Sequence, residues 1–430
     1  MKYFGNMHSF LKNNNWLLIS ELAFLSLMIV FLPSLEAPKN IFLVFFLTVS
    51  FIRQIQMPMK PFNSWDFIFF IYIVAAFLSA IFAGISNGYE WKSFRGMFLW
   101  IFIGWLITRA NYSKKTLSFI FILTLISTIP PLALGSIQYL VFHSKSALEL
   151  HSVGNVNHSA IYLCIILGSS FGLTLALWKK VNSSKMLLLL GITSLFFVAI
   201  VIGQSRAALA IGFILITSLA LIFPNSKCIK ASLILIILGI LLSIFFVFNA
   251  EVIQKHFKSL AADSVILKGN EKYLGERSLV WNVSFEAMQF YPLFGVGNGN
   301  WKLITIKDIK KSVEMRGESF DKEKYMFKAN HSHSLYLTAA TERGLFGFIA
   351  LIMFMISWLK TLIESFRLMM NDSSNGMYFW AGSFSAWITT FGIGIVNSTF
   401  HHEHAILAMI LLGLHLSFLR KKTNENLTIR

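Results

Sequence analysis

Three places in this sequence set polar, reactive residue types against apolar surroundings. The first is Arg206, in Gly203-Gln-Ser-Arg-Ala-Ala, where one apolar run ends and the next begins with hardly any loop. An arginine at that depth is costly and marks a functional position by default. It also opens a helix, where free N–H groups and the helix dipole favour an anion. The competing reading is an arginine that snorkels to an interface. The second is Arg277, in Gly275-Glu-Arg-Ser-Leu-Val-Trp. At helical spacing Arg277, Trp281, Phe285 and Met288 share a face. A planar guanidinium fork there suits a pyrophosphate, and the alternative is a salt bridge to Glu276 or Glu286.

The third place is Asn330-His-Ser-His-Ser-Leu-Tyr-Leu. A histidine can act as a general base near neutral pH. His333, Leu337, Ala340 and Gly344 fall on one helical face, which puts His333 at the head of an inward-packing helix and His331 before it. Two histidines at i, i+2 also suit a plain polar boundary, and they do not fit the H-E-x-x-H zinc spacing. Phe400-His-His-Glu-His404 looks like a metal cluster, but consecutive spacing cannot put all four polar side chains on one helical face. It reads as interfacial packing beside the site, and no metal is expected. Tyr291-Pro-Leu-Phe-Gly-Val-Gly-Asn-Gly-Asn-Trp301 is a Gly-rich turn and matches neither a P-loop nor a dinucleotide fingerprint. Cys164 and Cys228 offer no redox pair or metal knuckle.

The elements that must position these residues follow from composition. Of 430 residues, 56% are hydrophobic and 13% charged, against about 45–50% and about 25% in soluble domains. Soluble, disordered, collagen-like and disulfide-stapled chains are thereby excluded. An all-α integral membrane protein remains. With about 20 apolar residues per span, roughly twelve spans are expected: 16–34, 40–52, 65–84, 96–109, 116–142, 159–178, 185–204, 207–223, 230–249, 343–362, 377–396 and 404–419. The second and fourth look short, and Pro130-Pro131 is expected to break the fifth. No cleavable signal stands out at the start.

The net charge of +17 reads as loop charge rather than as a nucleic-acid footprint. Arg53, Lys60, Arg109, Lys114, Lys115, Lys179, Lys180, Lys185, Lys227, Lys230, Lys360 and Arg367 fall in alternate loops. The other short loops offer only Lys39, Lys92, Arg95, Lys145 and Arg206. Both termini are therefore expected in the cytoplasm. Residues 250–334 form a long polar stretch on the outer side whose aromatics predict a folded segment. Three parts result: 1–249 with about nine spans, the 250–334 loop, and 335–430 with about three spans and a short tail.

Together these pieces resemble the O-antigen ligase and polymerase superfamily of bacterial inner membranes. Gly154-Asn-Val-Asn-His-Ser-Ala is similar to the family's Gly-Asn-x-Asn segment opening a span, and Ser205-Arg206 to its small-residue-plus-Arg pair. Arg277, Trp281 and Pro292-Leu-Phe-Gly-Val-Gly297 resemble its Arg…Trp…Pro-x-x-Gly-x-Gly stretch. His333-Ser-Leu-Tyr-Leu…Glu-Arg-Gly-Leu-Phe-Gly347 looks like its His-Asn-x-x-Leu…Glu-x-Gly-x-x-Gly signature, with Ser334 in place of the Asn.

The resemblance implies a GT-C-like, metal-independent, cofactor-free inverting glycosyltransferase of the inner membrane, its site facing the periplasm. The donor would be a glycan on undecaprenyl pyrophosphate. Arg206 and Arg277 would hold the pyrophosphate and His333 would take the acceptor's proton. Asn155, Asn157, Trp281 and His331 would contact substrate. A ligase acting on the lipid A–core, in lipopolysaccharide biosynthesis, is favoured over a polymerase using a second lipid-linked repeat. The longer protein-glycosylating branch is disfavoured because only a short basic tail follows the last span. A transporter is the non-enzyme alternative, disfavoured by the lack of paired broken helices.

Overall fold

The computed structural model describes residues 15–57, 61–145, 147–151, 153–178, 180–223, 239, 272–370 and 376–428. Apart from Gly239, the expected ninth span at 230–249 and the stretch 250–271 lie outside them. Among the described residues the fold is helical, with no strand. In chain order the helices are α1 Asn15–Phe31, α2 Glu36–Gln56, α3 Ser64–Ile81, α4 Tyr89–Arg109, α5 Lys114–Ile126, α6 Ile129–Leu140, α7 Val156–Leu177, α8 Ser183–Ile202, α9 Arg206–Ile222, α10 Lys272–Phe290, α11 Ile306–Met315, α12 Leu335–Met370, α13 Met377–Ile393 and α14 His402–Thr428. Seven of the described helices are long and apolar enough to cross a membrane, with α5 and α6 counted as one stretch; α1 and α9 are shorter apolar helices.

The windows expected at 40–52 and 96–109 belong to helices of 21 residues each. They look short in the sequence because charged residues interrupt the apolar run, and the fold keeps those charges inside the helices by pairing them. Lys39 of α2 pairs with Glu403 of α14, and Arg53 of α2 with Glu21 of α1. Arg109 of α4 meets Asp66 of α3 at 2.7 Å. All six side chains are buried. Desolvating an ion costs several kcal/mol, about what a well-placed partner with further hydrogen bonds offsets. Glu21 has those further bonds, from Ser50 at 2.9 Å and Tyr112 at 2.6 Å, while Arg53 also donates to the carbonyl of Ala110 at 2.7 Å. Lys39, Arg53 and Arg109 are thus not the loop residues the charge pattern suggested, although both arginines sit in the last turn of their helices.

The break expected at Pro130-Pro131 falls slightly earlier, between Ile126 and Ile129, and the prolines occupy the first turn of α6. There a missing N–H is harmless, since first-turn donors lack intrahelical partners anyway.

Two helices run through the middle of the bundle. One is α7, packed on α8, α9 and α13; the other is α14, packed on α4 and α13. Small residues let α7 and α13 approach closely: a Cβ at Gly172 would stand 2.2 Å from that of Ala381, the kind of contact that drives helix association in lipid. Residues 272–334 carry a small core of their own, built from Val280, Val283 and Ala287 of α10, Ile309 and Val313 of α11, and Val296, Trp301 and Ile304 between them. Trp301 donates its indole N–H to Ser284 at 2.8 Å, so its polar edge is satisfied inside that core.

Removing one partner of a buried pair strands the other. Glu21→Ala should therefore destabilise the folded protein by about 3–5 kcal/mol, read as a lowered thermal midpoint in detergent. Glu21→Ala with Arg53→Leu should recover part of the loss. A single variant as stable as the parent would mean that the pair carries no structural weight.

Candidate active site

Arg277 and the two histidines come together where α10 lies along the start of α12. Arg277 and Trp281 are half-buried on α10. The stripe expected at 277, 281, 285 and 288 is not the buried one: Val280, Val283, Ser284 and Ala287 face the core, and Phe285 is 46% exposed. Arg277 and Trp281 thus sit on the flank of the helix, where they can reach the loop ahead of α12. The salt bridge to Glu286 does not form, because that carboxylate is taken by Arg316 at 2.8 Å and by Tyr325 at 3.3 Å. The Glu276 side chain lies outside the described residues.

Trp281 donates its indole N–H to the carbonyl of Ser332 at 2.9 Å. That bond seats the residue between the two histidines. Ser332 is fully buried, and its hydroxyl meets the carbonyl of Ser334 at 2.9 Å and the hydroxyl of Thr338 at 2.6 Å. His333 does not head a helix as the periodicity predicts. The helix begins at Leu335, and His333 stands before it with φ +53°. A positive φ is rare outside glycine and persists only where surroundings hold it. Here the Trp281 bond holds it, together with the amide of Leu335, which donates to the carbonyls of Gly394 and Asn397 at 2.8 and 3.1 Å.

Ser334, at the family's Asn position, is the first-turn cap: its hydroxyl accepts from the Leu337 amide at 3.5 Å. Asparagine caps helices equally well, so the departure leaves that function in place.

The backbone N–H of His333 donates to Nδ1 of His331 at 3.3 Å, and the rings stand edge to face at 4.5 Å. The proton of a neutral His331 is thereby placed on Nε2. Burial, then the neighbouring His333, holds His331 down to about 4. Burial and next the charge of Arg277 hold His333 below the usual histidine range. A neutral imidazole beside a guanidinium is the form a general base needs.

The Gly-rich turn does not cradle phosphate with its N–H groups, because the protein has used them. Val296 and Gly297 donate to the carbonyls of Thr341 and Glu342, each at 2.9 Å, and Gly299 donates to the Glu342 carboxylate at 2.9 Å. The turn is a clasp on the first turns of α12. Its closeness explains Gly344: at φ +61° it lies where a Cβ would stand 2.3 Å from the backbone of Leu293.

Arg206 opens α9 as the sequence suggested, and it is exposed. Among the described residues nothing pairs with it. Its neighbour Ser205 donates to the Asn157 amide oxygen at 3.4 Å, which joins two segments far apart in sequence. Asn155 caps α7, accepting from the amides of Asn157 and His158 at 3.1 and 3.2 Å. Its role here is to start the helix.

Sequence reasoning missed His158. Its ring lies 4.8 Å from that of His401 and 5.4 Å from that of His404, and His401 in turn lies 6.2 Å from His331. The usable signal was that Asn-Val-Asn-His158 and His-His-Glu-His404 each open an apolar helix. A cavity of about 490 Å³ reaches this cluster, lined by Lys39, Lys92, Lys302, His331, Arg343 and His401 among others. A second, apolar one of about 370 Å³ lies on the α10–α12 seam between Met288, Pro292, Leu337 and Phe348.

Residues 191–352 match a family model described as O-antigen ligase. The match spans Arg206, Arg277, Trp281, His331 and His333, and it supports the resemblance to the O-antigen ligase superfamily. Asn155, Asn157, His158 and His401–His404 fall outside it. No curated protein matches the chain significantly.

Trp281→Phe keeps the ring's bulk but removes the donor to Ser332. It should lower turnover about tenfold, because a small misplacement of a reacting group is costly, and should leave the fold intact. Turnover equal to the parent's would show that His333 is seated without this bond.

Proposed function

We propose that this protein is an O-antigen ligase: it moves a glycan from undecaprenyl pyrophosphate to the lipid A–core at the periplasmic face of the inner membrane. The observation that carries this reading is Arg277 acting on a neutral His333 at the Trp281-held loop, inside the segment that resembles O-antigen ligases. The cytoplasmic termini, the outward placement of 250–334 and the three-part division of the chain belong to the same reading and rest on the distribution of lysine and arginine.

The chemistry follows from the side chains. The acceptor hydroxyl oxygen attacks the anomeric carbon, and the bond from that carbon to the pyrophosphate oxygen breaks on the opposite face, inverting the centre. His333 accepts the hydroxyl proton. Negative charge builds on the leaving pyrophosphate, where Arg277 and Arg206 stabilise it. Electrostatic stabilisation of developing charge often contributes more to catalysis than any other single effect. Two bidentate arginines can supply it without a divalent ion at the phosphates. Arg206 carries no competing partner among the described residues, which leaves its fork available. The apolar seam between α10 and α12 suits a stretch of polyprenyl chain. The basic lining of the larger cavity, with Lys92, Lys302 and Arg343, suits a phosphorylated glycolipid acceptor that approaches past His331.

The roles separate by mutation. His333→Ala should leave donor binding near the parent's value and cut turnover by about 10²–10⁴-fold. Arg277→Lys keeps the charge, loses the fork and should weaken donor binding and turnover together. Donor affinity and turnover measured on purified variants decide this; a His333→Ala enzyme that turns over normally would end the assignment. Turnover should also persist with magnesium and manganese withheld.

The pH profile carries a sign. A base must be neutral, and His333 sits below the usual histidine range, so kcat/KM should hold level through neutral pH and fall only as pH drops through that lowered value. In Arg277→Gln the repulsion is gone and the acid limb should move to higher pH; an unmoved or oppositely moved limb would assign it to another group. For topology, a cysteine placed at the exposed Lys310 of a variant lacking Cys228 should react with an impermeant maleimide in spheroplasts. Labelling only after lysis would reverse the orientation.

A further inference from the structure

We propose that His158, His401 and His404 form a site for a divalent transition metal of the zinc class, clasping the start of α7 to the start of α14. One ring nitrogen from each lies within 4.8 Å of the others. Tetrahedral zinc with bonds of about 2.0–2.1 Å sets its ligand atoms about 3.4 Å apart, so the three rings need to close by about an ångström, within reach of small side-chain rotations.

The second observation is that these imidazoles lack protein partners. Nδ1 of His158 and both ring nitrogens of His401 and of His404 are buried with no hydrogen bond. His404 is only 1% exposed. Buried polar nitrogens are nearly always satisfied, and five on three converging rings call for something in their midst. A cation fits because imidazole is a preferred ligand of zinc, copper and nickel. An anion fits less well, since the α7 amides that would bind one are already capped by Asn155.

The sequence spacing argued against a metal because the 401–404 run cannot converge by itself. The fold removes that objection by supplying the third ligand from another helix. His402 is exposed and stands 5.5 Å, ring to ring, from His158, and His401 lines the larger cavity. A fourth position can therefore be filled from that side by water or by His402. The Glu403 carboxylate, paired with Lys39, holds the first turn of α14 in place from its other side.

This site is separate from the arginines and from His333, and it does not depend on their assignment. Its test uses full-length protein carrying a tag without histidines. Purified in zinc-supplemented medium and dialysed, the protein should retain about one zinc per chain, and cobalt exchanged into the site should give the visible bands of a tetrahedral complex. His404→Gln and His158→Gln should each lower zinc content at least about tenfold and abolish the cobalt bands, with monodispersity in detergent showing that both fold. Zinc should raise the thermal midpoint of the parent and not of the variants. Folded parent protein without zinc, or zinc bound equally by all three proteins, overturns the proposal. So does stabilisation by inorganic pyrophosphate in the presence of chelator that is lost in His404→Gln, which would make the cluster an anion site.

Discussion

The hydrogen bond from Trp281 to the carbonyl of Ser332 is the contact on which the candidate site depends. The two histidines flank that carbonyl in a segment that precedes its helix, and one of them has a backbone conformation it would not choose alone. Without a donor from α10, nothing in the local sequence sets where His333 points. With it, one residue on the flank of a helix fixes the loop, and a residue one turn earlier on the same helix supplies the charge that acts on the imidazole.

A second clasp makes that seating possible. The amides of Val296, Gly297 and Gly299 all bond to Thr341 or Glu342, and Gly344 lets the chain at Leu293 come within touching distance. The segment of α10 and its turn is thereby locked to the first turns of α12. The Glu-Arg-Gly motif owes its residue types to this: a carboxylate that accepts an amide, an arginine that donates to Tyr72 at 2.6 Å, and a glycine where a Cβ has no room.

Charges inside the bundle serve a different purpose. Glu21 with Arg53, Asp66 with Arg109, and Glu403 with Lys39 are buried and mutually satisfied. They join helices distant in sequence. Arg206 and the ring nitrogens of His158, His401 and His404 have no such satisfaction among the described residues. In an apolar medium that contrast separates groups that hold the fold from groups that await a ligand.

Periodicity and composition were enough to find the helices, since about 20 apolar residues in a row have few other destinations, and to pick out Arg206, Arg277 and His333 as unusual. They understated α2 and α4, whose paired charges look like loop residues until the partner helix is known. They also put His333 on a helix, because a spacing that continues a helical face does not say where the helix starts. Tertiary structure decided that Phe285 is exposed, that the glycine turn is a clasp, and that His158 meets His401 and His404. Each of those depends on a contact between segments far apart in the chain, and a pattern read along one segment carries no information about what another segment brings to it.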